Sequence, residues 1–595
     1  MTDRHTDAAE RQPLIDPRDR YTRIPQSQDE ENGPVPTSTH NITPQQQGED
    51  ESSRLAAIQA LPWYRRPSVS WLLPFVFFLV LVMGISQAPQ EQLIIEIICK
   101  EHLKGRETQS GGGTMMAALL GPNGVPENPC GTQEVLGLAA VVLGRVRALK
   151  YTSGMFTIGF LTSLSDKYGR KALIYLTLVP GVLTQLLILY MARPTSNLGV
   201  GVLYADGLFM GVMGAGILLE PCLNAYIADC TPRLGRSITI GYVMVSLSVG
   251  MTVGPLIPRY LKDSSSAILV SVCTLSFMMI YSAFMPESLP KHLRAKSVVD
   301  DNETASGVPV SSSSPVVIPA KRYSSPLARV KDWMITVVKP VLLFFPGRIE
   351  PTPDVNVPPS PYMLPVLLAG YGFLQFASNG ISIIVIPYTN LVFRWEVEQD
   401  GYYLALNGAS TFIVYVGIFP LLQKLYARVY VAKKASKAGT LTDDHPAYSA
   451  DDNSSSTDSA KVTTNPVTGN DLAFFIFGSA VYAVAYLLVP IFKTEAALYL
   501  SCALRALASV ALPSFTSLLT SYIPTHQTGK ALGGVAVVDT IVMSLSALLY
   551  GWVFSKTSNS MPPAVFLLSS VCTCLSVLAG LIVWIMFKRA ERRQL

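Results

Sequence analysis

Residues 162–191, TSLSDKYGRKALIYLTLVPGVLTQLLILYM, contain the pattern on which the fold depends. A short polar turn from Asp166 to Lys171 is followed by about twenty residues without a charge. A helix of that length is about 30 Å long, which matches the hydrocarbon core of a bilayer. Because lipid offers no partner to backbone N–H and C=O groups, such a run predicts a helix that crosses a membrane.

Similar apolar runs occur along the whole chain in two sets of six, separated by a polar stretch of roughly seventy residues. We predict an all-α, polytopic membrane protein with twelve transmembrane helices in two six-helix bundles. The predicted crossings lie near residues 71–99, 148–165, 171–191, 199–222, 237–258, 266–285, 362–392, 401–425, 471–492, 496–520, 530–555 and 563–587. The predicted organisation is a disordered tail (1–70), a first bundle (71–285), a cytosolic central loop (286–361), a second bundle (362–587) with a disordered loop (427–470), and a cytosolic tail (588–595).

The composition agrees with a membrane protein and excludes several functions. Charged residues make up 15% of the chain and apolar residues 49%, which is too little charge to cover a soluble protein of this size. The net charge is +5, but no basic stripe with interleaved aromatic residues suggests binding to nucleic acid. The sequence has no Walker motif, no His-rich metal cluster and no nucleophile elbow. We therefore expect neither an enzyme nor an ATP-driven pump, and no metal or other cofactor.

Lys and Arg residues in the short loops predict the orientation in the membrane. They follow the second, fourth and eighth crossings and close the chain, all on one side: Lys167, Arg170, Lys171, Arg233, Arg236, Lys424, Arg428, Lys588, Arg589, Arg592 and Arg593. Both termini and the central loop are therefore expected in the cytosol. Within that loop the apolar run from Trp333 to Phe345 is too short to span a bilayer, so it predicts a helix lying at the cytosolic interface.

The turn between the second and third crossings points to a family. Residues 164–171, LSDKYGRK, resemble the corresponding loop of the major facilitator superfamily, whose pattern is G-x-L-x-D-(R/K)-x-G-R-(R/K), although Thr162 replaces the first Gly. The resemblance, closest to fungal multidrug and metabolite exporters with twelve helices, implies two halves that rock around a central pocket. It also implies a conformational lock formed by Asp166, Lys167, Gly169, Arg170 and Lys171. The alternative is a basic cytosolic turn that only obeys the orientation rule.

A second pattern lies in the fifth crossing. Gly241, Gly250, Gly254 and Pro255 reproduce the spacing G-x8-G-x3-G-P, which in this superfamily is associated with antiporters. Small residues allow a close approach to a neighbouring helix, and Pro255 removes a backbone hydrogen bond and bends the helix. The pattern therefore favours antiport with this helix as a hinge. Ordinary close packing is the alternative explanation.

Three ionisable residues lie inside predicted crossings: Asp206 in the fourth, Arg505 in the tenth and Asp539 in the eleventh. Ionisable groups are costly at membrane depth and are usually functional, so these three are candidates for proton coupling or for recognition of a charged solute. One observation opposes proton coupling. Exporters of the family usually carry an Arg in the fourth helix, and Gly207 occupies that position.

The two halves also contain a short internal repeat. Tyr226-Ile227 and Tyr522-Ile523 stand at similar places after the fourth and tenth crossings. Aligning them puts Arg505 opposite a position one helical turn from Asp206. If the two helices face each other across a cavity, as the family fold implies, Asp206 and Arg505 are opposed near mid-membrane. They would then be either a coupling site or a structural ion pair.

Uncharged polar residues add further candidates. In the family the first and seventh helices line the cavity, so Gln87, Gln375 and Asn379 are candidate hydrogen-bonding groups for a solute, with interhelical contacts as the alternative. Glu91 and Glu96 lie nearer the outer end of the first crossing, and we expect them to be in contact with water. On the same side Cys99 and Cys130 are candidates for a disulfide.

The N-terminal tail carries a candidate sorting signal. Glu10, Leu14 and Ile15 fit the acidic dileucine pattern E-x-x-x-L-I, which resembles a signal read by a sorting adaptor that sends fungal transporters to the vacuole. A vacuolar membrane is therefore expected, with the plasma membrane as the alternative.

Taken together, these features predict a monomeric transporter that moves a small organic solute by alternating access. Proton-coupled export is the expected mode, and proton-coupled uptake or passive facilitation is the alternative. A non-transporting membrane sensor is the alternative of another class.

Overall fold

The computed structural model of the protein describes residues 62–110, 129–193, 195–214, 216, 218–231, 236–288, 340–346, 360–422, 424–425, 428, 466–523 and 528–594. Within these residues the chain is helical and contains no β-strand. The predicted all-α fold is therefore confirmed.

The first half of the described chain contains seven α-helices. They are α1 (Val69–Ser110), α2 (Gln133–Tyr168), α3 (Arg170–Met191), α4 (Gly201–Val212), α5 (Leu219–Cys230), α6 (Arg236–Val253) and α7 (Ser264–Phe284). Two 3-10 turns, Gly254–Leu256 and Pro258–Tyr260, follow α6. Buried aliphatic and aromatic side chains of α1, α3, α5 and α7 pack together as one core of this half.

The second half also contains seven. They are α8 (Met363–Val392), α9 (Val397–Ile413), α10 (Pro466–Phe492), α11 (Glu495–Ala508), α12 (Ala511–Ser521), α13 (Thr528–Thr557) and α14 (Ala564–Gln594). A π-helical turn, Val414–Ile418, continues α9. Most of the core of this half is built from α8, α10, α12, α13 and α14.

Ten segments in the described part of the chain are long and apolar enough to cross a membrane. They correspond to ten of the twelve predicted crossings. The second, α2, is 36 residues long but carries Arg145, Arg147 and Lys150, and the fourth is divided into α4 and α5. For these two, crossing the bilayer stays a prediction.

The fourth and tenth crossings share a break at their middle. Gly214 and Gly216 adopt positive φ values of 67° and 87° between α4 and α5, a conformation that favours glycine. Ser509 and Val510 separate α11 from α12. The tyrosines of the predicted repeat, Tyr226 and Tyr522, are buried at the ends of α5 and α12. The two halves thus repeat the same interrupted helix.

One predicted helix boundary was wrong. The helix of the second predicted crossing, α2, begins at Gln133 rather than near residue 148, and it continues through Arg147, whose charge is paired with Glu91 of α1. The apolar run from Trp333 to Phe345 is described only from residue 340, where Val341–Phe344 is a 3-10 turn. Phe344 is buried against α13, and a helix at the cytosolic interface stays a prediction.

The most extensive contacts between the two halves are those of α2 with α13 and of α6 with α9. Glycines permit both approaches. A Cβ on Gly551 would lie 2.6 Å from the carbonyl oxygen of Ala140, and one on Gly408 would lie 2.6 Å from the backbone nitrogen of Thr252. We call the end of the molecule that carries the Cys99–Cys130 pair and Arg259 the disulfide end, and the opposite end the Gly169 end.

Candidate functional site

The polar contacts described between the halves lie at the middle of α2 and α13 and at the disulfide end. Thr152 and Ser544 share a hydrogen bond of 2.6 Å, and Ser544 also donates to the carbonyl of Ala148 at 3.2 Å. At the rim, Arg259 pairs with Glu398 at 3.3 Å and its guanidinium lies 5.5 Å from the ring centre of Tyr402. These contacts close the disulfide end of the space between the halves.

In the first half, Glu91 is a buried site residue that sequence reasoning missed. The expectation that it contacts water was wrong, because only 3% of the residue is exposed. Arg147 of α2 donates a hydrogen bond to its Oε1 and forms an ion pair with it. An arginine within the apolar part of α2 was the available signal that a carboxylate partner lies on a neighbouring helix.

Asp206 of α4 has partners in its own half. The hydroxyl of Thr184 on α3 donates to its Oδ1 at 2.7 Å, and Lys150 of α2 interacts with it electrostatically. No ion pair joins Asp206 to Arg505 in the part of the chain that the structure describes. The predicted opposition of these two residues is therefore not realised as a contact, since the partners described for each residue belong to its own half.

Arg505 of α11 is surrounded by tyrosines. Its Nη1 donates to the hydroxyl of Tyr403 at 3.0 Å, and its Cζ lies 5.6 Å from the ring centre of Tyr486. Its Nε is buried and has no hydrogen-bond partner among the described residues. No carboxylate of the described chain forms a salt bridge with it. The result is a cation held between helices by neutral groups alone.

Asp539 of α13 is brought to the predicted polar residues of the seventh crossing. The hydroxyl of Tyr371 donates to its Oδ2 at 2.9 Å, and the amide of Gln375 lies 3.5 Å from its Oδ1. Asn379 instead donates to the carbonyl of Gln375 at 3.0 Å, within its own helix. Gln87 is half-buried in α1. The structure thus brings Asp539 and Gln375 together, whereas the side-chain amide of Asn379 is engaged by a backbone carbonyl.

Asp400 is the second residue that the sequence analysis missed. The predicted eighth crossing began at residue 401, whereas α9 begins at Val397 after a capping box formed by Glu396 and Gln399. Asp400 is therefore helical, and only 1% of it is exposed. The hydroxyl of Thr389 donates to its Oδ1 at 2.7 Å. The capping box, an acidic residue followed three positions later by Gln, was the available signal.

The turn that carries the predicted lock is held by acidic residues of the same half. Gly169 has a φ of 103° and stands before the first residue of α3. The backbone N–H groups of Arg170 and Lys171 donate to Glu287 at 2.8 and 3.2 Å, and Arg170 Nε pairs with Asp229 at 3.3 Å. The side chains of Asp166 and Lys167 fall outside the described residues. A lock acting between the halves stays a prediction.

The glycines of the fifth crossing pack against α1. A Cβ on Gly254 would lie 2.6 Å from the Leu81 carbonyl oxygen, and one on Gly250 would lie 2.8 Å from that of Phe77. Gly241 has no atom within 4 Å of such a position. The α-helix ends at Val253, so Pro255 terminates the helix instead of bending it, because proline cannot donate the next backbone hydrogen bond.

Two further predicted features concern the ends of the chain and its cysteines. Cys99 and Cys130 are joined by a disulfide that ties α1 to the turn before α2. Among the described residues no group of three or more His, Cys, Asp or Glu side chains could hold a metal ion. The sorting pattern at Glu10, Leu14 and Ile15 lies outside the described residues.

Comparison with known proteins assigns this architecture. The chain is 21% identical to an uncharacterized membrane protein of Schizosaccharomyces pombe, over 85% of this chain and 78% of that protein. It is 30% identical to a multidrug resistance efflux pump PmrA homolog of Lactococcus lactis, over 25% of this chain and 35% of that protein. Its fold resembles the crystal structure of the human organic anion transporter MFSD10 (TETRAN), with a TM-score of 0.52, 16% identity, and coverage of 87% and 100% of the two chains. Residues 110–439 match the model of the Major Facilitator Superfamily. The chain therefore belongs to the Major Facilitator Superfamily and is a multi-pass membrane transporter rather than an enzyme.

Proposed function

We propose that this transporter exports a small organic anion from the cytosol by proton-coupled alternating access. The observation that carries the anionic part of the proposal is the guanidinium of Arg505, which is enclosed by tyrosines and has no carboxylate partner among the described residues. An arginine buried at membrane depth is costly unless an opposite charge compensates it. A carboxylate or phosphate of the solute would provide that charge.

The residues around Arg505 suit such a ligand. Arginine binds planar anions through two parallel N–H groups, and its buried Nε is free for one of them. Tyr403 and Tyr486 come from two other helices, α9 and α10, so a solute bound to Arg505 would contact the junction of three helices. Asp539, Tyr371 and Gln375 form a second polar cluster in the same half, which offers hydrogen bonds to the uncharged part of a solute.

The contacts between the halves support alternating access. Because the described contacts run from the middle of the helices to the disulfide end, we infer that the space between the halves opens at the Gly169 end, which the distribution of Lys and Arg predicts to be cytosolic. A solute would enter from the cytosol and leave after the contacts at the disulfide end break. Neither step requires ATP, and a proton gradient is the proposed driving force.

Export, rather than uptake, is favoured by two observations. The Gly and Pro residues of the fifth crossing follow the antiporter pattern, and one relative is named as a multidrug efflux pump. Gly207, which stands where exporters usually have Arg, favours uptake and keeps that mode as the second candidate. A monomeric transporter in the vacuolar membrane, delivered through the N-terminal sorting pattern, completes the proposal.

Counterflow in proteoliposomes tests the proposal without knowledge of the natural solute. Liposomes with purified protein are loaded with one unlabelled compound at a time from sets of organic anions, cations and neutral molecules of matched size. Exchange against the labelled compound is then measured at equal pH and across pH gradients of both signs. We expect exchange for members of the anion set, with net movement opposite to the proton flow.

Variants at Arg505 give the matched comparison. Arg505→Gln should abolish anion exchange, while Arg505→Lys should retain the charge but lose the two-pronged contact and exchange more slowly. Lys262→Gln removes an exposed cation and serves as the control. Anion recognition would be disproved if the unchanged protein exchanged only cations. It would also be disproved if Arg505→Gln exchanged anions at the rate of the unchanged protein. Net movement along with protons would instead establish uptake.

A further inference from the structure

Two buried carboxylates from opposite halves lie near each other at the disulfide end. Glu91 belongs to α1 and is 3% exposed, and Asp400 belongs to α9 and is 1% exposed. Their helices pack together, and the two side chains interact electrostatically. Each has one oxygen, Oε2 of Glu91 and Oδ2 of Asp400, that is buried without a hydrogen-bond partner in the described structure. Two like charges are thus enclosed where the halves meet.

The surroundings do not neutralise both charges. Glu91 has Arg147 of α2 as its cation, whereas Asp400 accepts only the neutral hydroxyl of Thr389 from α8. On α11, the titratable residue near Asp400 is Tyr499, which is neutral. Arg259 lies in the turns that follow α6, but it pairs with Glu398. Among the described residues Asp400 therefore has no cation.

The nearby charges extend this arrangement into the first half. Arg147 interacts electrostatically with Lys150, and Lys150 interacts with Asp206. Counted as fully ionised, this row has three carboxylates and two cations, which leaves one negative charge in excess. A buried group of charges at membrane depth is far less costly when it is neutral. One bound proton makes this row neutral.

We propose that Glu91 and Asp400 together form a proton-binding site that is assembled when the halves meet at the disulfide end. One proton is held between the unpartnered Oε2 of Glu91 and Oδ2 of Asp400. Its O–H bond on one carboxyl group donates a hydrogen bond to the other. When the halves separate, Asp400 moves away from Glu91 with its helix, both oxygens reach water, and the proton is released.

The direction of the pH effect follows from this assignment. Closing the disulfide end takes up one proton, so closure is favoured as the pH falls. For a full proton taken up, the ratio of closed to open molecules changes by about tenfold per pH unit. This inference rests on the proposed alternating access, but it concerns a proton site that is separate from the solute site at Arg505.

Pulsed electron paramagnetic resonance on the full chain in lipid nanodiscs tests this directly, without any solute. Spin labels are attached through ketone-bearing amino acids at Lys262 and Glu495, two exposed positions at the disulfide end, one in each half. This chemistry leaves the native cysteines and their disulfide unchanged. The distance distribution is recorded from pH 5.5 to 8.5, a range in which water-exposed carboxylates remain ionised.

We expect the short-distance population to decrease as the pH rises, and Asp400→Asn to lose this dependence and stay closed. Asp400→Glu keeps an ionisable group and should keep the dependence with a shifted midpoint. Glu96→Gln, which changes an exposed carboxylate of α1, should behave as the unchanged protein. A pH-independent distribution in the unchanged protein, or an unchanged pH dependence in Asp400→Asn, would overturn the proposal. Because no solute is present, these results are independent of whether anions are transported.

Discussion

Because α2 and α13 approach each other closely, we expect that a larger residue at Gly551 opens the disulfide end. A Cβ added at Gly551 would lie 2.6 Å from the Ala140 carbonyl oxygen, 3.3 Å from its carbonyl carbon and 3.5 Å from the Cα of Val141. All three are backbone atoms, so no flexible side chain can move aside. Since contacts of a real Cβ below 3.0 Å are essentially never found, Gly551→Ala must separate the two helices by several tenths of an ångström.

The expected magnitude follows from the cost of overpacking, which is roughly 1–3 kcal/mol. That cost applies only to molecules in which the halves touch. Alanine also favours the helix over glycine by roughly 1 kcal/mol, but it does so equally in the closed and open states. The ratio of closed to open molecules should therefore fall by between about fivefold and about a hundredfold, at about 1.4 kcal/mol per factor of ten.

The spin-label pair at Lys262 and Glu495 measures this ratio. Gly533→Ala is the matched control, because it lies on the same helix and a Cβ there has no atom within 4 Å. We expect Gly551→Ala to lengthen the distance between the labels and Gly533→Ala to leave it unchanged. If both variants gave the distribution of the unchanged protein, the close contact between α2 and α13 would not control closure at this end.

Two other predictions concern the same end of the molecule. Cys130→Ser removes a disulfide that spans 31 positions, and the chain-entropy model assigns such a loop about 3–4 kcal/mol of stabilisation. We therefore expect a lower unfolding temperature in detergent, and the same decrease when reductant is added to the unchanged protein. Equal unfolding temperatures with and without reductant would refute this prediction. Arg259→Gln breaks an ion pair whose side chains are 50% and 46% exposed, and exposed pairs contribute roughly 0–1 kcal/mol. The ratio of closed to open molecules, measured with the same spin labels, should therefore change by less than about fivefold. Complete opening would show that this pair contributes more than exposed pairs do.

Several elements could be predicted from the sequence because their cause is local. Uncharged runs of about twenty residues predict crossings wherever they occur, and ten of them match helices that the structure describes. The turn at Gly169 was likewise predictable, since a positive φ before a helix favours glycine. The start of α2 was not, because Arg147 and Lys150 lower the apolar character of a helix whose charges are compensated by other helices.

The candidate sites divide in the same way. Arg505 and Asp539 could be identified as sites because an ionisable residue within an apolar run is unusual whatever its partner is. Their partners could not be identified. Arg505 of α11 contacts Tyr403 of α9 across 102 positions, and Glu91 pairs with Arg147 across 56 positions. The expected contact of Asp206 with Arg505 failed because alignment of the repeats gives equivalent positions, not distances between the halves.

By itself, the amino-acid sequence determined that this protein crosses a membrane many times, in two related halves, and belongs among transporters. Those properties depend on hydrophobic length and on short motifs, which each segment carries alone. Only the tertiary structure decided which charges are compensated, where the halves touch, and that Glu91 and Asp400 are both buried on helices that pack together. A charge in lipid is stabilised by whatever neighbouring helices bring to it, and those neighbours are set by packing rather than by order along the chain.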